Sequence, residues 1–319
     1  ALFSASPLIA PFPFDIPTDI WGRSDGTVEW GHFSGTPGSV SLNNPITGFT
    51  VGQLDRDANS ELIALTDIGQ LFLVEGPNQA LPLATFINPV VGTPAMADLD
   101  RDGDDELVVV TSDGVLSILD RAGQVVRTDP VPGGATSPAA LGDLDNDGYI
   151  EALFSGRNNL WIIRFNGILQ TNTPIAFPLK DQVGPISASP LLADLDGDGT
   201  LEILAGTPGG LLYGLDASGN HLPGFPLQAP GPISASPLLD DLDGDGTLEL
   251  VFFTAAGSIH LHHLENIDPT YTGNHVVWGQ LGGNPANTGH LLQLPQATPA
   301  ALPLDELLPK NRVYCYPNP

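Results

Sequence analysis

The sequence lacks several features that hold or anchor other folds. Cys315 is the one cysteine, so no disulfide framework can form within the chain. No run approaches the roughly 18 apolar residues of a membrane helix. Lys and Arg number only 10 against 37 Asp and Glu, so the formal net charge is −27. This charge argues against nucleic acid or an anionic membrane surface as a partner, and it calls for cations that neutralise it.

Glycine and proline are abundant instead, with 37 Gly and 31 Pro and no Gly-X-Y period, which indicates many tight turns. Runs of four to six mainly apolar and β-branched residues, such as residues 201–205, are bounded by Gly, Pro, Asn or Asp. No segment of the repeat region carries an apolar pattern of helical period. The sequence therefore predicts an all-β fold, with a sandwich and a β-propeller as the two architectures to weigh.

An acidic segment recurs through most of the chain. Its copies begin at Gln53, Asp98, Asp143, Asp194 and Asp241, at separations of 45, 45, 51 and 47 residues. This period is typical of four-stranded propeller blades, and a sandwich gives no reason for it. We therefore predict a β-propeller and favour six blades over seven. The copies are named loop 1 (53–61), loop 2 (98–106), loop 3 (143–151), loop 4 (194–202) and loop 5 (241–249).

Partial repeats set the predicted boundaries. Residues 4–10 match the start of the later repeats at Ser187 and Ser234, but no acidic loop follows them. A propeller must join its first blade to its last, so a closing segment is expected after loop 5. The predicted divisions are a degenerate first blade (1–44), blades with acidic loops (45–280), a closing segment (278–290), a whole propeller (1–292) and a Pro-, Ala- and Leu-rich linker (293–319).

The loops have the donor pattern of a cage for a hard cation. Carboxylates stand at positions 1, 3, 5 and 9, glycine stands at position 6, and a main-chain carbonyl is available at position 7. Ca²⁺ takes six to eight oxygen ligands, whereas Mg²⁺ requires a smaller octahedron and Zn²⁺ prefers His and Cys. We predict one Ca²⁺ in each of loops 2 to 5. Loop 1 is predicted to be a weaker fifth site, because Gln53 and Ala58 replace the first Asp and the Gly.

The predicted ligands, in the order of positions 1, 3, 5, 7 and 9, are Asp98, Asp100, Asp102, Asp104 and Glu106; Asp143, Asp145, Asp147, Tyr149 and Glu151; Asp194, Asp196, Asp198, Thr200 and Glu202; Asp241, Asp243, Asp245, Thr247 and Glu249; and, in the weaker site, Gln53, Asp55, Asp57, Asn59 and Glu61.

Loop 4, Asp-Leu-Asp-Gly-Asp-Gly-x-x-Glu, resembles the FG-GAP/VCBS repeats of integrin α-subunit propellers and bacterial surface proteins. The resemblance covers about residues 1–290, and Glu at position 9 resembles the bacterial versions. It implies a calcium-binding propeller but no single function, because such propellers serve as adhesion heads, lectins, lyase scaffolds and accessory domains.

The last residues, 311–319, contain Tyr-Pro-Asn-Pro and are similar to the start of the carboxy-terminal sorting domain of type IX secretion cargo. This resemblance implies that residues 293–319 include the start of a sorting region. It also implies secretion or an outer cell-surface location.

Side chains outside the loops give no catalytic set. Strand alternation places His260 and His262 on one face, as a transition-metal pair or, in the interpretation we favour, as a solvated face. Trp21, Trp30, Trp161 and Trp278 are candidates for sugar stacking or, by default, for the core. Glycosidase chemistry among the remaining acids Asp15, Asp19, Asp25 and Glu29 stays open.

We predict a non-catalytic surface propeller that recognises a glycan or a protein through its loops, with no nucleic-acid partner and no membrane insertion. Two alternatives remain open at this point. The chain is a structural subunit or spacer of an extracellular assembly, or it is the scaffold of a polysaccharide lyase-like enzyme.

Overall fold

The structure is a computed structural model. It describes residues 8–11, 17–31, 37–55, 60–157, 159–165, 174–178, 186, 188–233, 235–242, 247–264, 276–279, 291 and 314–317. Every regular element in these ranges is a β-strand, so the predicted all-β class is confirmed. No helix in this part of the chain is long and apolar enough to span a membrane.

The strands of the described residues are β1 (Leu8–Pro11), β2 (Pro17–Gly22), β3 (Thr27–Gly31), β4 (Gly38–Ser41), β5 (Ile46–Gly52), β6 (Glu61–Thr66), β7 (Gln70–Gly76), β8 (Gln79–Thr85), β9 (Ala95–Ala97), β10 (Glu106–Val110), β11 (Val115–Leu119), β12 (Val125–Pro130), β13 (Ala140–Gly142), β14 (Glu151–Ser155), β15 (Asn159–Arg164), β16 (Ile175–Pro178), β17 (Leu191–Ala193), β18 (Glu202–Gly206), β19 (Leu211–Leu215), β20 (Leu227–Gln228), β21 (Leu238–Asp240), β22 (Leu248–Phe253), β23 (Ser258–Leu264), β24 (Val276–Trp278) and β25 (Tyr314–Pro317).

These strands form antiparallel sheets in which strands consecutive in the chain pair with each other, as in a propeller blade. The sheets belong to two compact units of the chain. Unit 1 (1–139, 165–172 and 284–291) holds the four-stranded sheets β1–β4, β5–β8 and β9–β12. Unit 2 (140–164, 173–283 and 292–319) holds the sheets β13–β16, β17–β20 with β24, and β21–β23 with β25. The arrangement is propeller-like, and the number of blades stays a prediction.

The second strand of a repeat is covered on both faces. Every residue of β10, β14 and β18 is buried, which explains why the residues after the first glutamate of each strand are mainly apolar rather than alternating. The outer strand β12 is exposed at four of its six positions. Only Arg127 and Asp129 are buried, so the second half of the strand alternates as a half-covered strand does. The turns after the second strands are held by threonine, since Thr207 Oγ1 accepts a hydrogen bond from the N–H of Leu211 at 3.1 Å.

Two short segments extend the sheets of unit 2. Val276–Trp278 pairs with β17 as a fifth strand, and Tyr314–Pro317 pairs with β23 as the fourth strand of its sheet. Trp278, the last residue of β24, is the first residue of the predicted closing segment, and β25 lies in the predicted sorting region. Most of the predicted closing segment and most of the predicted sorting region fall outside the described residues, so the predicted domain boundaries stay predictions.

The leucine at loop position 2 anchors four of the five loops to a core. Leu54, Leu99, Leu144 and Leu195 are at most 2% exposed. Leu54 joins an apolar cluster with residues of the following sheet in unit 1, and Leu195 does the same in unit 2. In loop 5 the equivalent Leu242 is 48% exposed. Loops 1 and 4 are thus attached to the seam between two sheets of their own unit through one apolar side chain each, and loop 5 lacks a buried leucine at this position.

Truncation of Leu195 tests this anchor. Leu195→Ala should lower the free energy of unfolding by about 2–5 kcal/mol, because it opens a cavity beneath loop 4. Leu242→Ala removes the same atoms from an exposed position and should cost less than about 1 kcal/mol. Urea unfolding followed by tryptophan fluorescence measures both. Equal losses for the two variants would contradict the anchoring role.

Candidate metal-binding loops

Each acidic loop connects the first and second strands of a sheet. The antiparallel pairing of these two strands brings the two ends of the loop close together. Ala97 is paired with Glu106, and Ala193 is paired with Glu202. The position-1 aspartate directly follows Ala97 or Ala193 in the chain, so it emerges beside the position-9 glutamate. Loop 3 has the same register. Two carboxylates that are eight residues apart in sequence are therefore neighbours because of main-chain pairing.

Three loops bring the carboxylates of positions 1, 3 and 9 together. In each of them the three side chains offer oxygens that all lie within 4.8 Å of one another. Such a spacing suits three ligands of one cation and is unfavourable for three bare negative charges. The clusters are Asp98, Asp100 and Glu106; Asp143, Asp145 and Glu151; and Asp194, Asp196 and Glu202.

In loops 2, 3 and 4 the N–H of the position-6 glycine donates a hydrogen bond that closes the turn. The carboxylate of Asp194 accepts from Gly199 at 3.2 Å, as that of Asp98 does from Gly103 at 3.0 Å. Gly199 has φ +90°, in the left-handed region that side chains rarely adopt. A Cβ there would also lie 2.9 Å from the Asn146 side chain. The shape of loop 4 therefore requires glycine at position 6, as the sequence predicted.

The position-9 glutamate has a second role that the sequence did not reveal. Its Oε2 atom accepts a hydrogen bond from the main-chain N–H of position 2, and this bond recurs in all five loops. The donor and acceptor pairs are Leu54 and Glu61 at 2.7 Å, Leu99 and Glu106 at 2.9 Å, Leu144 and Glu151 at 2.8 Å, Leu195 and Glu202 at 2.6 Å, and Leu242 and Glu249 at 2.9 Å. One oxygen of each glutamate thus fixes the loop. In Glu151 the other oxygen, Oε1, has no hydrogen-bond partner among the described residues, whereas in Glu249 it faces His263.

Several of the remaining oxygens are buried without a hydrogen-bond partner among the described residues. They are Oδ1 of Asp98, Oδ1 of Asp145 and Oε1 of Glu151. Glu151 itself is only 1% exposed. A buried carboxylate oxygen with no donor is costly unless a cation reaches it, so the donor set fits a bound metal ion.

The position-5 aspartates of loops 2, 3 and 4 make hydrogen bonds within the loops. The Oδ1 atoms of Asp102, Asp147 and Asp198 accept hydrogen bonds from the N–H groups of the position-7 residues, at 2.7–2.9 Å. The structure does not bring these three aspartates into the clusters of positions 1, 3 and 9. Their coordination of a metal, and that of the carbonyls of Asp104, Tyr149 and Thr200, stays a prediction.

Burial raises the pKa of the position-9 glutamates in loops 2, 3 and 4. Desolvation is the main cause, and the neighbouring aspartates add to it, while the main-chain N–H of position 2 acts in the opposite direction. The pKa of Glu106 and that of Glu151 rise to about 8, and the pKa of Glu202 rises to about 9. The pKa of Asp196 rises to about 6, again through burial first. Without a cation these loops therefore resist full ionisation near neutral pH.

These shifts predict how the metal-free protein responds to pH. In the unfolded chain a glutamate ionises near pH 4.5, whereas in the folded loops it keeps its proton up to about pH 8–9. Raising the pH across this window ionises the unfolded state first, so the metal-free fold should lose stability from about pH 5 to pH 9. Thermal melting in EDTA measures this loss.

Two variants separate the loops from the general surface charge. Glu202→Gln removes a titrating group but keeps an oxygen for the N–H of Leu195, so the decline with pH should be smaller. Glu75→Gln removes one exposed charge and should leave the decline unchanged. A melting temperature in EDTA that stays level or rises between pH 5 and pH 9 would contradict the expectation.

Loop 1 and loop 5 are described only in part. Asp57 and Asn59 of loop 1, and Asp243 and Asp245 of loop 5, lie outside the described residues. Loop 1 is tied to loop 2 by an unpredicted residue, Asp105. Its Oδ2 accepts a hydrogen bond from the N–H of Gln53 at 2.7 Å, and its own N–H donates to the carbonyl of Gln53 at 2.8 Å. This two-way bond holds the loop in which the first aspartate is missing.

Basic side chains approach two of the loops from the third strand of the sheet. Arg164 Nη1 forms an ion pair with Oδ2 of Asp145 in loop 3. His263 Nδ1 lies 2.6 Å from Oε1 of Glu249 in loop 5. Neither contact could be read from the spacing of the motif, because the strand register brings these residues back to the loop.

The histidine pair is not a solvated strand face, and the prediction was wrong on this point. His260 and His262 are 4% and 5% exposed. Both rings stack on Phe252, with centroid distances of 4.8 Å and 5.6 Å. Burial lowers the pKa of both imidazoles. They therefore act as packed, neutral aromatic rings of unit 2.

The tryptophans proposed for sugar stacking are mostly buried, and the remaining acids do not form a catalytic pair among the contacts of the described residues. Trp30, Trp161 and Trp278 are at most 7% exposed and belong to the core, whereas Trp21 is half-buried. Of the remaining acids, Glu29 pairs with Arg23 at 2.5 Å, and Asp15 lies outside the described residues.

The described strands define a class, a propeller-like all-β protein, and one segment of the chain matches a repeat family. The family model for the FG-GAP-like repeat matches residues 143–205, which include loops 3 and 4. No curated protein matches the chain. The match to residues 143–205 and the propeller-like sheets bear out the coarser part of the predicted resemblance.

Solved structures share the fold at low identity. BBS1N in complex with ARL6DN is 16% identical, with 87% of this chain and 81% of that chain covered and a TM-score of 0.58. BamB from Moraxella catarrhalis is 16% identical, with 86% and 73% covered and a TM-score of 0.53. The V. cholerae biofilm matrix protein Bap1 is 22% identical, with 74% and 39% covered and a TM-score of 0.51. At these identities the likeness is one of fold alone.

Proposed function

We propose that this chain is a calcium-stabilised β-propeller that serves as a non-catalytic recognition module at the cell surface. The observation that carries the metal part is the triplet of carboxylates in loops 2, 3 and 4, with oxygens within 4.8 Å of one another. Calcium, when bound, supplies the positive charge that these oxygens lack. The residues of positions 1, 3 and 9 hold it, and the position-6 glycine keeps the turn tight.

The donor set favours calcium over other divalent ions. All the clustered donors are carboxylate oxygens, which suit Ca²⁺ and Mg²⁺ and not Zn²⁺. Three carboxylates converging on one point suit the larger ion, because Mg²⁺ is usually held by one or two carboxylates and keeps several waters. The net charge of −27 gives the folded chain a general affinity for cations as well.

Calcium uptake and melting test the metal part. Wild-type protein should bind at least three Ca²⁺ ions per chain in calorimetry, one for each of the three clusters. Asp196→Asn should remove one ion and lower the melting temperature in calcium, because Asp196 is a buried member of its cluster. Asp67→Asn is the control, since Asp67 is exposed in a turn of unit 1 away from the loops.

The outcome that contradicts the metal part is equally specific. It would be an absence of uptake at millimolar Ca²⁺, or uptake that Asp196→Asn leaves unchanged. In the first case the loops are hydrogen-bonded turns, and in the second the ions bind elsewhere on the acidic surface.

Three features support a recognition role at the surface. The FG-GAP-like repeat is present in loops 3 and 4, one similar fold is that of a biofilm matrix protein, and the acidic composition fits a medium rich in calcium. Outside the loops, Ser258 Oγ lies 2.9 Å from Nε2 of His260, but this imidazole is only 4% exposed and stacks on Phe252, so it packs as a core ring. The described residues show no paired acids in an open cleft. We therefore infer a ligand that is a glycan or a protein, bound without turnover.

Glycan-array binding tests the recognition part. The protein should bind a restricted set of glycans in calcium and lose this binding in EDTA, because the loops would loosen. Asp196→Asn should weaken the binding and Asp67→Asn should not. Degradation of acidic polysaccharides would overturn the non-catalytic assignment, and ordered polymers in microscopy without glycan binding would favour a structural subunit instead.

A further inference from the structure

Loop 3 receives a positive charge from the neighbouring strand of its sheet. Arg164 on β15 is paired with Glu151 on β14, directly across the ladder. Its guanidinium turns to the loop, where Nη1 donates to Oδ2 of Asp145. The side chains of Arg164 and Asp145 are 30% and 29% exposed, so water screens this ion pair only in part.

The corresponding position next to loop 4 is acidic. Ile203 is paired with Leu215, so the following step along the ladder places Asp216 opposite Glu202. Asp216 Oδ1 is engaged in its own turn, where it accepts from the N–H groups of Ser218 and Asn220 at 2.9 Å and 2.8 Å. It therefore brings no positive charge to loop 4.

Loop 2 follows loop 4 in this respect. Leu107 is paired with Leu119, and the next residue, Asp120, again holds a turn through Oδ1. Among the three loops with a complete cluster, loop 3 thus has an arginine where the other two have an aspartate.

Arg164 does not neutralise every carboxylate oxygen of loop 3, however. Asp145 Oδ1 and Glu151 Oε1 stay buried without a hydrogen-bond partner among the described residues. The arginine neutralises one carboxylate oxygen at the edge of the cluster, and two oxygens remain directed to the place where a cation would sit. Arginine and metal are therefore competitors for the charge of Asp145 rather than alternatives for the whole site.

We propose that Arg164 sets the metal affinity of loop 3. This inference rests on the proposed calcium function. Its guanidinium partly neutralises the loop in the metal-free protein, and it repels a divalent ion that enters the loop. Loop 3 is therefore a weaker site than loop 4, it empties before loop 4 when calcium falls, and it stays formed when it is empty. Loop 4 has no arginine in its sequence and an aspartate, Asp216, at the position of Arg164, so it depends fully on the ion.

Tyr149 gives a signal specific to loop 3, because it occupies position 7 of that loop alone. Terbium is the probe, as a luminescent substitute for calcium that a nearby phenol sensitises. The emission that Tyr149→Phe abolishes reports loop 3. Arg164→Gln should shift the midpoint of this emission to about fivefold lower terbium, since it removes the competing charge. Arg157→Gln removes the same charge from an exposed position and should not shift it.

Melting gives a second, independent measurement. In EDTA, Arg164→Gln should melt below Arg157→Gln, because loop 3 has lost its internal counter-ion. In saturating calcium the difference should shrink, because the ion replaces the arginine. A variant that melts lower by the same amount in both conditions would show that Arg164 is simply a structural residue.

The failure of this inference can be told from the failure of the proposed function. If wild-type protein takes up calcium but Arg164→Gln shifts the loop 3 midpoint less than twofold, Arg164 does not set the affinity and the calcium function stands. If wild-type protein takes up no calcium at all, both are overturned.

Discussion

The convergence of three carboxylates inside one nine-residue turn is the constraint on which the rest of this structure depends. The main-chain ladder forces it, because Ala193 pairs with Glu202 and so delivers Asp194 to the side of the glutamate. Like charges within 4.8 Å of one another, buried as those of loop 4 are, cannot all ionise without a cation. Either protons or a metal ion must accompany the folding of these sheets.

The same few residues connect the site to the core. Glu202 binds the N–H of Leu195 through one oxygen, and Leu195 packs into the seam between two sheets of unit 2. A ligand held by the other oxygen of Glu202 is therefore two contacts away from the apolar cluster. This short path explains how metal could stabilise a blade that has no disulfide and few ion pairs. Where the leucine is exposed, as Leu242 is in loop 5, the path is broken.

Much of the fold and the position of the candidate sites could be read from the sequence, because both follow from local pattern. The repeat period, the short apolar strands and the turn glycine such as Gly199 are all encoded within a few residues of one another. The use of Glu202 Oε2 by a main-chain N–H was not visible, since any residue can donate that hydrogen bond.

Contacts that depend on strand register were also out of reach. Arg164 lies 19 residues after its partner Asp145, and only the pairing of β14 with β15 brings them together. The burial of His260 and His262 was mispredicted for a related reason. Alternation correctly put them on one face, but nothing in the local sequence says that Phe252 of the neighbouring strand covers that face.

The loops are also less alike than the motif suggests. Asp105 ties loop 1 to loop 2, Arg164 reaches loop 3, and His263 reaches loop 5, whereas loop 4 receives only main-chain donors among the contacts described above. Repetition of a motif thus fixes the geometry of the turn, while the neighbouring strand fixes its electrostatic environment. A propeller built this way can hold the same ion with different strength in successive blades.

The most direct measurement is anomalous diffraction from crystals grown in calcium. The account predicts a calcium peak inside each of loops 2, 3 and 4, bounded by the carboxylates of positions 1, 3 and 9. Well-ordered loops without such peaks, with waters hydrogen-bonded to protonated carboxyls in their place, would contradict it.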